Sequence, residues 1–114
     1  MRKIESVIIK AINYEETSIL SKRDRVVFEP FNACNKASHV YLWNTRIAII
    51  LPDSIIINSG GWKTVTTKSR LNSLLREYCG VALYQKRREW YVVNPWKREE
   101  ERQFEDNMTI RRTR

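Results

Sequence analysis

The clearest periodicity in the chain is an apolar stripe at helical spacing. The side chains at i, i+3, i+4 and i+7 are Leu71, Leu74, Leu75 and Tyr78. Residues with this spacing lie on one face of a helix. Thr66 or Thr67 can accept amide hydrogen bonds at the start of such a helix, and Gly80 suits the left-handed residue that ends it. The pattern therefore predicts a main helix over about 68–79.

Short runs of β-branched and aromatic residues, bounded by turn residues, predict strands on both sides of this helix. The predicted strands cover residues 25–29, 40–43, 46–51, 54–58, 81–86 and 89–93, with a last edge strand within 104–110. Pro52 and Asp53 favour a tight turn between the third and fourth of these strands, which predicts a hairpin. The strands on either side of Arg87 and Arg88 also predict a hairpin, although this turn lacks the Asn-Gly residues that tight turns prefer.

Other segments are less regular. Residues 6–12 are rich in β-branched side chains and favour a strand, although their apolar positions also fit one face of a helix. Residues 31–38 are typical of a loop, and residues 96–103 indicate a charged loop or a short helix.

Together these elements predict an α+β fold, with an antiparallel sheet of about five strands and one main helix packed on one of its faces. The length predicts a single domain over residues 1–110, followed by a basic mobile tail at 111–114. The N-terminal third is the segment available to cover the second face of the sheet.

Charge adds a candidate partner to this picture. The chain has 21 Lys or Arg and 13 Asp or Glu, and residues 59–95 alone hold seven basic and two acidic side chains. Such a local excess favours a nucleic acid or an acidic protein surface as the partner, and a basic face that only aids solubility is the alternative. The candidate contact residues are Lys63, Lys68, Arg70, Lys86, Arg87 and Arg88.

The same sequence argues against a membrane or a secreted setting. It contains no run of about 18 apolar residues, and its first residues are too charged for a signal peptide. Cys34 and Cys79 lack Cys-x-x-Cys spacing and are expected to remain thiols. We therefore expect a cytoplasmic protein, whose oligomeric state the sequence leaves open.

Aromatic residues alternate with cations in the second half of the chain, near 62–63, 84–88 and 96–98. Exposed rings of this kind stack on bases while the cations follow the phosphates. For Trp62 and Trp90 we favour the alternative, in which large aromatic side chains fill the core.

No set of residues predicts catalysis. The run 59–64 resembles a phosphate loop only superficially, because it lacks Walker A spacing, and a structural loop is the favoured interpretation. An anion contact at Thr66 or Thr67 is a secondary prediction, since both lie near a helix N-terminus. His39 is the only histidine, which argues against a His-rich metal site. We expect no enzyme activity, no metal and no cofactor.

One stretch carries a resemblance. Residues 58–72 are Asn-Ser-Gly-Gly-Trp-Lys-Thr-Val-Thr-Thr-Lys-Ser-Arg-Leu-Asn. They resemble the motif N-S-G-G-W-x-T-x-T-T-K-x-R-x-N of small phage and prophage proteins of unknown function, and segments at 41–48, 81–92 and 104–110 are similar to flanking motifs in the same order. Asn107 stands where that family usually has Gly, and Asn tolerates the same left-handed turn. The resemblance implies a viral or mobile-element origin and supplies no activity.

Two functions remain open. The favoured one is a non-enzymatic nucleic-acid-binding protein in the cytoplasm of the host cell. The alternative is a phage-encoded inhibitor that binds a host protein, such as a defence or nucleic-acid-processing complex. The sequence does not choose between them, because a basic face can meet either a nucleic acid or the acidic groove of a protein.

Overall fold

A computed structural model describes residues 2–113 and confirms the α+β fold class. This part of the chain forms two helices and nine strands. In chain order they are α1 (Lys3–Asn13), β1 (Ser18–Ile19), β2 (Asp24–Pro30), β3 (Lys36–Leu42), β4 (Thr45–Ile50), β5 (Ser54–Ile57), α2 (Val65–Cys79), β6 (Ala82–Lys86), β7 (Glu89–Asn94), β8 (Lys97–Gln103) and β9 (Met108–Arg111).

The strands form two antiparallel sheets rather than the single sheet predicted. A six-stranded sheet has the order β1-β2-β3-β4-β5-β9, and a three-stranded sheet has the order β6-β7-β8. Buried residues on one face of the large sheet pack into the core with the helices, because side chains alternate between the two faces of a strand. Val26, Val40 and Ile55 are among these buried residues, and they share one core with Leu71 and Leu75 of α2.

The N-terminal segment forms a helix instead of the predicted strand. The favoured strand at 6–12 is wrong, and α1 is the helical alternative. Ile8, Ile9 and Ile12 are all buried on one face of α1, and this burial outweighs the modest helix penalty of β-branched residues. The N-terminal third also does not cover the second face of the sheet, since α1 packs into the same core as α2.

The main helix is longer than predicted and begins earlier. Its N-cap is Thr64 rather than Thr66 or Thr67, and the Thr64 hydroxyl accepts a hydrogen bond from the Thr67 amide at 3.1 Å. Gly80 ends the helix with a φ of 65°, as predicted.

Two further segments differ from prediction. Residues 97–103, expected as a loop or short helix, form the edge strand β8, whose backbone pairs with β7 while all its side chains stay exposed. The predicted mobile tail is held over residues 111–113: Arg111 is part of β9, and the amides of Arg112 and Thr113 donate to the carbonyls of Asp53 and Tyr78. Residue 114 of the predicted tail lies outside the described residues.

Neither helix in the described range combines the length and the apolarity that a bilayer crossing needs.

Candidate nucleic-acid interface

The turn between β3 and β4 presents an exposed tryptophan. Trp43 and Asn44 are its two central residues, with φ values of 56° and 70°. Two left-handed residues in a two-residue hairpin define the tight turn that usually takes Asn-Gly. The Trp43 side chain is 63% exposed, so it stands out from the end of the hairpin. The sequence does not single out Trp43 as a site residue, because its pattern equally fits the last residue of a strand.

The loop before α2 lies directly against this hairpin. Gly60 has a φ of 67°, and a Cβ atom on it would collide with Cγ2 of Thr45. The loop is also tied to the chain before β9, because the amide and the hydroxyl of Ser59 both donate to Oδ1 of Asp106, at 2.9 and 2.8 Å. The favoured interpretation of 59–64 as a structural loop agrees with these contacts.

A neighbouring pair of asparagines completes the same loop. Nδ2 of Asn58 donates to Oδ1 of Asn107 at 2.8 Å, and Oδ1 of Asn58 accepts from the Gly60 amide at 2.6 Å. Asn107 has a φ of 68°, which confirms that Asn takes the left-handed conformation at this position. These contacts fix where the loop begins, and the Trp62 amide donates to the Ser59 carbonyl at 3.1 Å, which positions Trp62.

Trp43 and Trp62 line one groove of about 410 Å³. The Trp62 side chain is 71% exposed, so the favoured core position for this ring is wrong. Trp90, by contrast, is 1% exposed and packs edge-on against Phe104 in the core, as expected. The remaining lining residues of the groove are Leu42, Thr45, Ile47, Ser59, Thr64, Thr66 and Thr67.

The first turn of α2 closes one side of this groove. Thr66 is half-buried and lines it, whereas Thr67 is buried, and its hydroxyl and amide both contact Thr64. The amides of Val65 and Thr66 lie in the first turn of α2, where amides have no carbonyl partner within the helix. Such amides attract negative charge. An anion contact at the Thr67 side chain is thus disfavoured, and one at Thr66 stays a prediction.

Five of the six predicted cations lie at this end of the molecule. Lys63 follows Trp62 and is exposed, with its Nζ 5.9 Å from the centre of the Phe104 ring. Lys68, in the first turns of α2, donates from Nζ to Oε1 of Gln85 at 3.0 Å. This contact places the end of β6 beside the start of α2. Lys86, Arg87 and Arg88 follow Gln85 and are all exposed.

Arg87 and Arg88 form a second strained turn. Their φ values are 52° and 70°, so the β6–β7 hairpin is tight even though it lacks Asn-Gly. A non-glycine residue in this conformation costs about 1–2 kcal/mol. The two arginine side chains therefore project from a turn that other residues would form more easily.

Arg70 is the exception and must be removed from the predicted interface. Its side chain is 2% exposed, with Nε donating to Oδ1 of Asp24 at 2.8 Å and Nη1 donating to Oε2 of Glu5 at 3.0 Å. These partners come from β2 and α1, 46 and 65 residues away in sequence, so local periodicity could not reveal them. Burial lowers the pKa of Arg70, but the two carboxylates outweigh it and the net pKa is raised.

Glu5 completes this buried network. The hydroxyls of Ser69 and Ser73 donate to its two carboxylate oxygens, each at 2.5 Å. Burial alone would raise the pKa of Glu5, but the hydrogen bonds from Ser69, Ser73 and Arg70 outweigh it, and the pKa is lowered. Arg70 thus joins α1, α2 and the large sheet and serves the fold.

The comparison with known proteins gives the origin of the chain. The model of the Kyanoviridae Gp96 protein matches residues 1–111. The chain belongs to this phage protein family. The phage origin implied by the resemblance is thereby confirmed, while the motif at 58–72 is not tested by the match. No curated protein and no solved structure matches this Gp96 family member.

The described part of this Gp96 family member also holds no obvious metal site. Within residues 2–113, no three His, Cys, Asp or Glu side chains come together as metal ligands would. His39 is buried in β3, where burial lowers its pKa. The expectation that the protein is not an enzyme stays a prediction.

Proposed function

We propose that this member of the Kyanoviridae Gp96 family is a non-enzymatic nucleic-acid-binding protein of the host cytoplasm. The binding surface is the end of the molecule where α2 begins, which we call the α2 end. It comprises Trp43, Trp62, Lys63 and Lys68, together with the turn residues 86–88. The observation that carries the proposal is that two exposed tryptophans line one groove, and that Lys63 and Lys68 directly follow its lining residues Trp62 and Thr67. Lys68 in turn contacts Gln85, the residue before the exposed cations 86–88.

The strained turns support this proposal. Trp43, Arg87 and Arg88 occupy left-handed positions that Asn or Gly would fill at lower cost. Strain of this kind concentrates at sites where the side chain itself has a task. An aromatic ring and two guanidinium groups are the side chains that stack on bases and pair with phosphates.

The charge balance supports it as well. Without the buried Arg70, residues 59–95 still hold six basic and two acidic side chains. Exposed cations beside an aromatic groove provide the backbone contacts that dominate nucleic-acid affinity and make it sensitive to salt.

The test is fluorescence anisotropy with labelled DNA and RNA across a salt series. We expect affinity to fall steeply with salt concentration. Arg87→Asn/Arg88→Gly removes two charges while suiting the turn, and it should weaken binding and reduce the salt slope by about 2.

The matched control is Lys97→Ala/Arg98→Ala, which removes two exposed charges at the other end of β7. It should change affinity much less than the turn variant. Absence of binding at low salt, or an equal loss in both variants, would contradict the proposal.

A second candidate is an inhibitor that binds a host protein through the same surface. Exposed tryptophans and arginines are frequent anchors of protein interfaces, and the family is a phage family. The test is affinity capture from host lysate with the wild-type chain and with Trp43→Asn/Trp62→Ala. A stoichiometric partner that only the wild type retains would favour this candidate, and its absence would count against it.

A further inference from the structure

The groove at the α2 end points to one form of nucleic acid, an inference that rests on the proposed function. We infer that the strand bound there is unpaired, with one base stacked on Trp43 and another on Trp62. Within a duplex each base is already stacked between its neighbours, so a protein ring can reach a base face only where the strand is open.

The exposure of the two rings carries this inference. Trp43 and Trp62 are 63% and 71% exposed, yet they line the same groove. Of the other tryptophans, Trp90 is buried, and Trp96 stands at a turn outside this groove. Two uncovered rings facing one cavity are the arrangement that receives two flat apolar groups.

The size of the groove fits bases rather than a double helix. Its volume of about 410 Å³ lies at the small end of the range of sites for small ligands, roughly 300–1,000 Å³. One base, or two neighbouring bases of a single strand, would fit a groove of this size. A duplex is too wide to place its bases inside it.

The chemistry of the lining favours stacking over base-specific recognition. Leu42 and Ile47 are apolar, and the Ser59 hydroxyl is already engaged by Asp106. Thr45 and Thr66 add hydroxyls, which rotate freely to donate or accept. The hydroxyls of Thr64 and Thr67 are fixed by a hydrogen bond to each other. Because the fixed hydroxyls of the lining are engaged within the protein and the others rotate, we expect the groove to accept different bases.

The cations give the path of the strand beyond the groove. Lys63 follows Trp62 directly, and Lys68 reaches Gln85 beside the β6–β7 turn. Phosphates leaving the groove would meet these lysines and then Arg87 and Arg88. Charge complementarity along this line supports a nucleic acid as the occupant of the groove rather than an apolar peptide.

The experiment compares a single-stranded oligothymidylate with a DNA hairpin duplex carrying the same number of phosphates, at one salt concentration. We expect the single strand to bind at least about 10-fold more tightly. Trp43→Asn and Trp62→Ala should each weaken single-strand binding about 5-fold or more. Asn suits the left-handed turn, so the first variant keeps the hairpin.

The control is Trp96→Ala, which removes an even more exposed ring outside the groove. It should change affinity less than about 2-fold, and circular dichroism should show all three variants folded. Salt-sensitive binding with no preference for the single strand, or equal losses in all three variants, would overturn the stacking inference while leaving nucleic-acid binding intact. No binding to either probe would overturn both.

Discussion

At the scale of single residues, Trp43 is expected to serve nucleic-acid binding at a cost in stability. Its left-handed conformation costs about 1–2 kcal/mol, and its ring, largely exposed, buries little area in return. Changing Trp43–Asn44 to Asn-Gly should therefore raise the free energy of unfolding by about 1 kcal/mol while weakening nucleic-acid binding. Urea denaturation and anisotropy measure the two effects. Lower stability, or unchanged affinity, would contradict this view of the turn.

Arg70 is a residue whose removal should damage the fold. A buried cation that is lost from a network leaves its carboxylates uncompensated, which costs about 3–5 kcal/mol. We expect this loss in the urea denaturation of Arg70→Met. The triple variant Glu5→Gln/Asp24→Asn/Arg70→Met removes all three charges and should recover much of the loss. A single variant as stable as the wild type would show that the network contributes little.

Glu5 makes the same network sensitive to acid. Its pKa is lowered in the folded protein, so its contribution to stability is present above the unfolded value of 4.5 and is lost as pH falls through the lower folded value. We expect stability to decline below about pH 4.5. Glu5→Gln should flatten that part of the pH profile, as measured by thermal unfolding. An unchanged profile would assign the acid sensitivity to other carboxylates.

At the scale of elements, Gly60 positions the loop before α2 against the β3–β4 hairpin. A Cβ on Gly60 would collide with Thr45, whereas one on Gly61 would meet nothing within 4 Å, although both have positive φ values. Gly60→Ala should therefore destabilise more than Gly61→Ala, which should lose only about 1 kcal/mol to backbone strain. Denaturant unfolding compares the two variants.

The double variant Gly60→Ala/Thr45→Ser separates the collision from the strain. Ser keeps the hydroxyl of Thr45 and lacks the Cγ2 atom that the new Cβ would meet. Recovery to the level of Gly61→Ala would confirm the close approach of loop and hairpin. Failure to recover would show that the backbone strain alone explains the loss.

Elements with a strong local signal were predictable from the sequence. The stripe through Leu71 and Tyr78 and the left-handed stop at Gly80 define α2, and Pro52 marks a turn between two strands. Helix α1 could not be predicted from the sequence. Its isoleucines favour a strand locally, and their burial in a helix depends on packing against α2, which is distant in the chain. The local sequence does not predict β8 for a similar reason, because its charged residues adopt an extended conformation only through pairing with β7.

The site was predictable in part. Charge density alone located the exposed cations Lys63, Lys86, Arg87 and Arg88. It could not separate Arg70 from them, because the carboxylates that bury this side chain lie far away in sequence. The groove depends on the packing of a loop against a hairpin, which no local pattern contains.

At the scale of the whole molecule, Tyr78 joins α1, α2 and the end of the chain. Its hydroxyl donates to Oδ1 of Asn13 at 2.6 Å, its carbonyl accepts from the Thr113 amide, and the Arg112 guanidinium lies 4.8 Å from the centre of its ring. Burial raises the pKa of Tyr78 to about 12 and that of the neighbouring Cys79 to about 11.

These raised pKa values predict alkaline destabilisation. The unfolded chain ionises both groups at lower pH than the folded protein, so their contribution is complete below about pH 9 and is lost as pH rises towards 12. Thermal unfolding between these limits should show a melting temperature that falls as pH rises. Cys79→Ala should shift the onset upwards, and an onset that does not move would contradict the assignment.

The nucleic-acid surface itself can be observed through the four tryptophans of the chain. Trp43 and Trp62 line the groove, Trp90 is buried, and Trp96 is exposed elsewhere. Nitrogen-15 NMR resolves each indole N–H during titration with a single-stranded oligonucleotide. The proposed binding surface predicts that the Trp43 and Trp62 signals shift together while those of Trp90 and Trp96 stay in place. Shifts confined to Trp96, or spread equally over the exposed rings, would contradict it.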